Sequence, residues 1–403
     1  MTSAYKTEVE PNNIQRTVLL KHAGTARFAW NWGLSRRIQE YKETGKSSHA
    51  IEQHRQLNEL KKTDFPWMYD VSKAAPQEAL RNLDKAYDNF FRRVKKGEKK
   101  PGFPKFKSKK TGKSSFRLTG SIQVTDTHIR VPRIGWLKLK ERGYIPTDDL
   151  RILSVTVSEM AGRWFVSVQC EQELLVSMAT GEPVGVDLGI KSMAVCSDGQ
   201  RFENPKALKK AQKKLRRVQR KLSRRKKGGH NRDKTRQKLA KVHDRIANIR
   251  KDALHKATSA ITAKPKPDNE RPSVVVIEDL NVAGMGKNHC LAQAIMDVGM
   301  GEFRREIEYK TVWAGEQLMV AERFFASSRL CSVCGVVHSE LTLADRFWTC
   351  LGCGTWHDRD ENASTNLKNL ATGSFPESYA CGENVRPESQ AVLVETRTKH
   401  KAS

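Results

Sequence analysis

Apolar positions recur along this chain with several periods, and each period marks a different kind of element. Residues 4–10 alternate as a strand, and Pro11-Asn12-Asn13 then offers a helix start. A long helix through Tyr41 follows, with Ile14, Val18, Phe28 and Trp32 set among polar positions. Residues 42–68 are polar and less periodic. From about Lys73 to Val94 the apolar residues Leu80, Leu83, Tyr87, Phe90 and Val94 return at steps of three and four, which predicts an amphipathic helix. That stripe is read as core; the opposite face carries Lys73, Gln77, Arg81, Lys85 and Arg92. Short alternating runs at 115–124, 128–139 and 151–170 predict a small β-barrel, split by the helices inserted at 12–94.

After a linker at 171–183 comes the run Val184-Gly185-Val186-Asp187-Leu188-Gly189, β-branched and apolar except for one acid. A strand tolerates a buried carboxylate only with something charged against it. Gly185 and Gly189 flank the acid without side chains, so a ligand or another backbone can come close. A hairpin turns at Ser197-Asp198-Gly199. Two helical stripes follow: Leu208, Ala211, Leu215, Val218 and Leu222, then Leu239, Val242, Ile246, Ile249 and Ala253. Gly228-Gly229 separates them, which predicts an antiparallel helical hairpin. A second apolar run, 274–277, ends in Glu278; a loop at 281–289 leads to a helix around 292–314 and a strand near 318–322. Phe303, Tyr309 and Trp313 of that helix are read as packing residues. His357-Asp358-Arg359-Asp360 opens another helix, and beyond about Gly373 the chain is polar and aperiodic, read as a disordered tail over 373–403.

Charge sharpens this picture. The formal net charge of +28 over 403 residues implies a polyanionic partner, with nucleic acid the leading candidate. Residues 206–256 hold 22 Lys and Arg against three Asp. A merely solvated face mixes both signs, so the hairpin is expected to line a nucleic-acid channel, with Lys213, Arg216, Arg217, Arg220 and Arg224 as contacts. The basic, Pro/Gly-punctuated segment 95–114 carries Phe103 and Phe106, a composition suited to single-stranded nucleic acid or a phosphate backbone. Lys73 and Gln77, one helical turn apart, can both reach base edges. No apolar run approaches the ~18 residues of a membrane span, and a cytoplasmic setting is expected.

Two sets of metal ligands stand out. Asp187, Glu278 and Asp360 each head a separate element, which is how a chain supplies carboxylates for Mg²⁺ or Mn²⁺. Cys331-Ser332-Val333-Cys334 and Cys350-Leu351-Gly352-Cys353, with 15 residues between the pairs, match a closed tetrahedral zinc site. Gly335 and Gly354 allow the tight turn after each pair, and such a set leaves His338 and His357 unneeded as ligands.

The order VGVDLGIK, VIEDLN, four-cysteine ribbon, HDRDENAS resembles the RuvC-type core of the TnpB family, transposon-encoded RNA-guided endonucleases related to type V CRISPR effectors. The resemblance extends over roughly residues 4–370, and the main departure is Ser364 where the family commonly has Ala. It implies an α/β multidomain protein with a RuvC/RNase H-like core, inserted helical hairpin and zinc ribbon, behind a wedge β-barrel with inserted recognition helices. The implied divisions are wedge at 1–11 and 95–180, recognition helices at 12–94, and nuclease core at 181–325 containing the hairpin 206–256. The ribbon falls at 326–355 and the core ends at 356–372. It further implies that Asp187, Glu278 and Asp360 hold two Mg²⁺ ions about 3.5–4 Å apart, and that one structural Zn²⁺ sits on Cys331, Cys334, Cys350 and Cys353. Asp279 and Asp358 are nearby acids outside that pattern, and Arg359 either contacts the scissile phosphate or forms an ion pair. Lys73, Gln77 and Thr119 would read a short motif beside the target. The implied partners are a guide RNA from the transposon end and double-stranded target DNA, in a monomeric ribonucleoprotein. A compact CRISPR effector, an RNA-guided repressor and a DDE-type transposase are the rival classes. A repressor of this lineage is expected to have lost acids, and this chain keeps all three.

Overall fold

The computed structural model describes residues 2–109, 114–147, 150–172, 176–263, 266–342 and 344–374. The tail expected to be disordered lies, from 375 on, outside the described residues. The chain divides into two compact units, 1–173 and 174–403.

The first unit opens with β1 (Thr2–Glu10) and α1 (Asn13–Thr44). Asn12 caps α1 by accepting the Gln15 N–H at 2.8 Å, while its own N–H donates to the Gln15 side chain at 3.0 Å. This reciprocal box satisfies two otherwise orphaned amides and fixes the helix start. The segment read as aperiodic holds a further helix, α2 (Ala50–Thr63), which buries only Ala50, Gln53 and Leu57. Next comes α3 (Ala74–Lys95), whose stripe is core only in its first half. Leu80 and Leu83 are fully buried, but Val94 is exposed, and Tyr87 and Phe90 pack edge-on against Phe103. Phe103 therefore has ring partners within the unit, though it and Phe106 both stay exposed.

Six strands complete the unit: β2 (Ser115–Leu118), β3 (Gln123–Val124), β4 (His128–Val131), β5 (Gly135–Leu139), β6 (Arg151–Met160) and β7 (Arg163–Glu171). With β1 they form one antiparallel sheet in the order β2-β6-β7-β1-β5-β4-β3, so among the described residues β2 and β3 are its two edges. Alternate residues Val155, Val157, Val166 and Val168 are fully buried and share a core with Leu19, Leu57 and Leu80 of the helices.

The second unit is built on β8 (Val184–Asp187), β9 (Ser192–Cys196) and β10 (Arg201–Glu203), an antiparallel meander. Its first reversal lies between β8 and β9, ahead of the expected turn at 197–199, which joins β9 to β10. The basic hairpin follows as α4 (Ala207–Ser223) and α5 (His230–Thr262). Then come β11 (Val274–Glu278), α6 (Val282–Met285), α7 (Ala292–Val298) and α8 (Met300–Ala314). The single helix expected over 292–314 is broken at Gly299, whose φ of +83° is a left-handed conformation that ends α7. β12 (Gln317–Ala321) completes a five-stranded sheet in the order β10-β9-β8-β11-β12, with β8, β11 and β12 parallel. A two-stranded ribbon of β13 (Phe347–Thr349) and β14 (Trp356–Asp358) leads into α9 (Arg359–Thr372).

Strand alternation divides the helices between the sheet's two faces. Val184, Val186, Val275 and Ile277 pack with Leu254, Phe303 and Ile307 of α5 and α8. Val276 packs instead with Leu367 of α9. A Cβ added at Gly185 would stand 2.0 Å from the Ser364 carbonyl oxygen and 2.4 Å from the Lys368 nitrogen. The close backbone approach expected beside Asp187 is thus that of α9. Asp297 of α7 anchors the hairpin. Its carboxylate accepts the Leu208 N–H at 3.0 Å and pairs with Arg250 at 2.7 Å, so it caps α4 from outside and holds α5 as well.

Candidate active site

The register of the parallel strands brings two acids together. Val276 lies beside Gly185 and Ile277 beside Val186, so the next pair along the ladder is Glu278 and Asp187. By strand parity both share the α9 face with Gly185 and Val276, at the carboxyl ends of their strands, where α/β sheets bind ligands. The third acid arrives at the first turn of α9. Asp358 caps that helix, accepting the Asp360 N–H at 2.9 Å, and sets Asp360 toward the strand ends.

Electrostatics report the convergence. Burial, then the charges of Glu278 and Asp360, push the Asp187 carboxyl well above the usual carboxylate range, against the pull of Arg359 and Arg346. Burial also raises Glu278, opposed by a hydrogen bond from the Ser327 hydroxyl and by Arg359. Asp360 pairs with Arg346 at 3.2 Å. Burial is the leading cause for both groups, and for Asp187 the neighbouring acids add to it. Carboxylate oxygens are the hard donors that Mg²⁺ or Mn²⁺ takes, although those of the three acids do not all lie within 4.8 Å of one another in the structure.

Neighbouring acids are engaged elsewhere. Asp279 pairs with Arg304 at 2.7 Å and Arg323 at 2.6 Å, and those hydrogen bonds hold it below its ordinary range. Asp358 is taken by the α9 cap and by Arg201 at 3.2 Å. Arg359 forms no ion pair among the described residues: its guanidinium donates to the Thr342 carbonyl at 2.7 Å and the Ser328 hydroxyl at 3.2 Å. The cation against a site acid is Arg346, which sequence spacing gave no reason to select.

The four cysteines form the one set among the described residues whose His, Cys, Asp or Glu donor atoms all lie within 4.8 Å of one another. Cys331 and Cys353 sulfurs are 3.7 Å apart and those of Cys334 and Cys350 are 3.4 Å apart. A tetrahedron with Zn–S of about 2.3 Å has edges of about 3.8 Å, so the sulfurs fit a zinc ion. Gly335 and Gly354 take φ of +74° and +71° and donate back to the Cys331 and Cys350 carbonyls, closing the two expected turns. His357 is not among the four, but its Nε2 lies 3.1 Å from the Cys331 sulfur.

Two asparagines join this ribbon to α9. Asn362 accepts the Ser332 N–H at 2.9 Å and donates to the Leu330 carbonyl at 2.7 Å; Asn366 donates to the carbonyls of Leu330 and Ser327. The segment that starts the ribbon is thereby fixed to the helix carrying Asp360.

The expected nucleic-acid contacts fall in two places. Lys213, Arg217, Arg220 and Arg224 line a cleft of about 790 Å³ along α4, with Lys210, Lys214, Lys221 and Arg225 joining them. Arg216 is exposed but lies outside that lining. In the other unit Lys73 is exposed at the start of α3, Gln77 is half-buried one turn later, and Thr119 directly follows β2. Cations crowd there: His54 is lowered by burial and by Arg81, Lys61 and Lys73, and Lys61 by burial and Arg133. Among the described residues, no helix is long and apolar enough to cross a membrane.

Three family models match: "Probable transposase" over 165–289, "Cas12f1-like, TNB domain" over 301–367 and "Helix-turn-helix domain" over 1–46. Residues 2–44 hold one strand and one long helix, so no helix-turn-helix is formed there. A protein of Streptomyces pristinaespiralis named "Putative RNA-guided DNA endonuclease" is 36% identical over 96% of this chain and 93% of its own. InsQ of Escherichia coli K12, which carries the same description, is 32% identical over 95% of this chain and 94% of its own. Among solved structures, a Cas12f1–sgRNA–target DNA complex shares the fold, with a TM-score of 0.55 and 13% identity over 92% of this chain and 99% of that one. On the strength of the two full-length relatives, the chain belongs to the TnpB family of RNA-guided DNA endonucleases.

Proposed function

We propose that this chain hydrolyses phosphodiester bonds in target DNA, beside a short flanking motif and under the direction of a bound guide RNA. The observation that carries this reading is the ladder that sets Asp187 beside Glu278, beneath the α9 turn bearing Asp360. The second unit is assigned as a RuvC/RNase H-like core with its hairpin and ribbon. The first is assigned as a wedge with inserted recognition helices, divided at the boundaries given above.

Asp187, Glu278 and Asp360 would hold two Mg²⁺ ions, and the cysteines a structural Zn²⁺. Bound Mg²⁺ supplies Lewis-acid activation of water and stabilisation of the leaving 3′ oxygen. The chain's own residues do the rest. Ser327 orients the Glu278 carboxylate. Arg346, beside Asp360, is a donor within reach of a phosphate at the acids. Lys213, Arg216, Arg217, Arg220 and Arg224 hold nucleic-acid backbone without regard to sequence. Lys73, Gln77 and Thr119 can specify only a few base pairs, so guide pairing supplies the remaining specificity. A guide from the transposon end, a monomeric ribonucleoprotein and a bacterial cytoplasmic setting complete the proposal.

The deciding experiment purifies the protein, identifies any RNA it carries, and replaces the guide segment. Cutting should move to matching DNA that has the flanking motif. Site-specific cutting by RNA-free protein, unaffected by guide sequence, favours the transposase reading instead. The fold shared with the Cas12f1 complex makes a compact CRISPR effector the runner-up, distinguished by a neighbouring repeat array.

A further inference from the structure

Away from the acids and the α4 cleft, the first unit contains a cavity of about 500 Å³ between α1, α3 and β2. Its floor is made by Ala23 and Ala26 of α1 and Ala75 and Ala79 of α3. Farther along the same helix pair, Leu34 and Leu83 close the gap with bulky side chains. With Phe116 the alanines form the apolar part of the trough, and Ser115 and Thr156 add hydroxyls from the sheet. Its rim is polar and cationic, carrying Arg27, Asn82, Lys107 and Arg117.

These cations are not equivalent. Arg117 is committed to Gln169 at 2.7 Å and lies 3.7 Å from Glu78. Arg27 and Lys107 have no carboxylate partner among the described residues. Lys107 is nonetheless held firmly. Asn31 receives its backbone N–H at 2.7 Å and donates to its carbonyl at 2.9 Å, and Trp30 donates its indole N–H to the Lys105 carbonyl at 3.0 Å. The Lys107 ammonium lies 3.6 Å from the centre of the Trp30 ring. A basic loop stapled to α1 at consecutive residues, with one lysine on the cavity rim, is a preorganised anion site. A partly apolar trough bordered by an amide and two cations without carboxylate partners, one of them held on the Trp30 ring, matches the parts of a nucleotide: base and sugar on the alanines, phosphate on Arg27 and Lys107.

We propose that this cavity binds one nucleotide of a nucleic-acid strand, its phosphodiester held by Arg27 and Lys107. The inference rests on the reading of the chain as a nucleic-acid enzyme. It adds a site separate from Lys73, Gln77, Thr119 and the hairpin. The strand could be RNA or DNA, since the chemistry is shared.

The test uses full-length protein freed of copurified nucleic acid, with two probes: a mixed-sequence RNA oligonucleotide and its single-stranded DNA counterpart. Arg27→Gln and Lys107→Gln should each weaken binding to at least one probe by roughly tenfold and lower the salt slope by about one, the signature of a lost phosphate contact. Lys105→Gln, in the same loop but off the cavity, should change binding far less. Ala79→Leu, which fills the trough without altering charge, should weaken the same probe as Lys107→Gln. The affected probe identifies the strand. Equal effects of Lys105→Gln and Lys107→Gln, or unchanged binding in both Lys107→Gln and Ala79→Leu with unaltered melting temperature, overturn the proposal. Guided cutting is measured separately on wild-type protein. Its absence would sink the functional reading while leaving the binding comparison intact.

Discussion

The hydroxyl of Ser327 donates to the carboxylate of Glu278, and the carbonyl of the same serine accepts from Asn366 of α9 at 2.8 Å. One residue thus touches an acid on β11 and the helix that delivers Asp360. Ser327→Ala should keep the fold but leave Glu278 free to rotate. Outer-shell partners of this kind are worth about 10- to 100-fold in metal affinity or activity. A Mg²⁺ titration of cleavage by the variant should show that loss, with nucleic-acid affinity unchanged.

The crowding of carboxylates makes a second prediction, about pH. Asp187 is raised in the folded protein, so its ionisation opposes folding. Stability from this group is greatest below its unfolded pKa of about 3.9 and falls as pH rises toward the folded value. In EDTA, Asp187→Asn should melt higher than wild type near neutral pH, and the difference should shrink on acidification. Added Mg²⁺ should stabilise the wild type more than the variant. Asp187→Ala, Glu278→Ala and Asp360→Ala should each abolish cleavage yet retain nucleic-acid binding. Cutting by the Asp187 variant would eliminate this site.

The ribbon supports a third. Cys350→Ser should lose the bound zinc, loosen the segment that Asn362 and Asn366 grip, and reduce cleavage through folding. Asn362→Ala should reduce cleavage while metal analysis still finds one zinc per chain. Active protein containing iron, or no zinc, would contradict the assignment.

Glu316 gives a fourth, remote from the chemistry. It is 6% exposed, both carboxylate oxygens lack a hydrogen-bond partner, and burial raises its pKa to about 9 despite the charge of Arg271. Its ionisation therefore opposes folding between the unfolded pKa near 4.3 and about pH 9. Glu316→Gln should stabilise the protein by roughly 2 kcal/mol at about pH 8 and by little at about pH 4. Chemical denaturation at the two pH values measures this directly.

What the sequence disclosed followed from local repeats. The α4 and α5 stripes, the buried half of α3 and the paired cysteines with their glycines are all spaced by short-range geometry. What it concealed depends on distant partners or on few buried positions. Helix α2 buries only three residues, too few to leave a stripe. Arg346 has meaning only beside Asp360, and Asn362 only beside carbonyls some thirty residues away. Gly299 lies inside an apolar pattern that runs through the break it causes. Asp297 was equally silent, because it caps a helix from which it is separated by 89 residues.

Asp187 stands on the first strand of its sheet, and Asp360 on the last described helix. In vectorial synthesis the first unit and most of the second leave the ribosome before α9 exists. A nascent chain can thus expose its basic surfaces well before it possesses three acids. On the proposed reading the cutting centre is completed last, and a chain halted short of α9 should bind nucleic acid without cutting it.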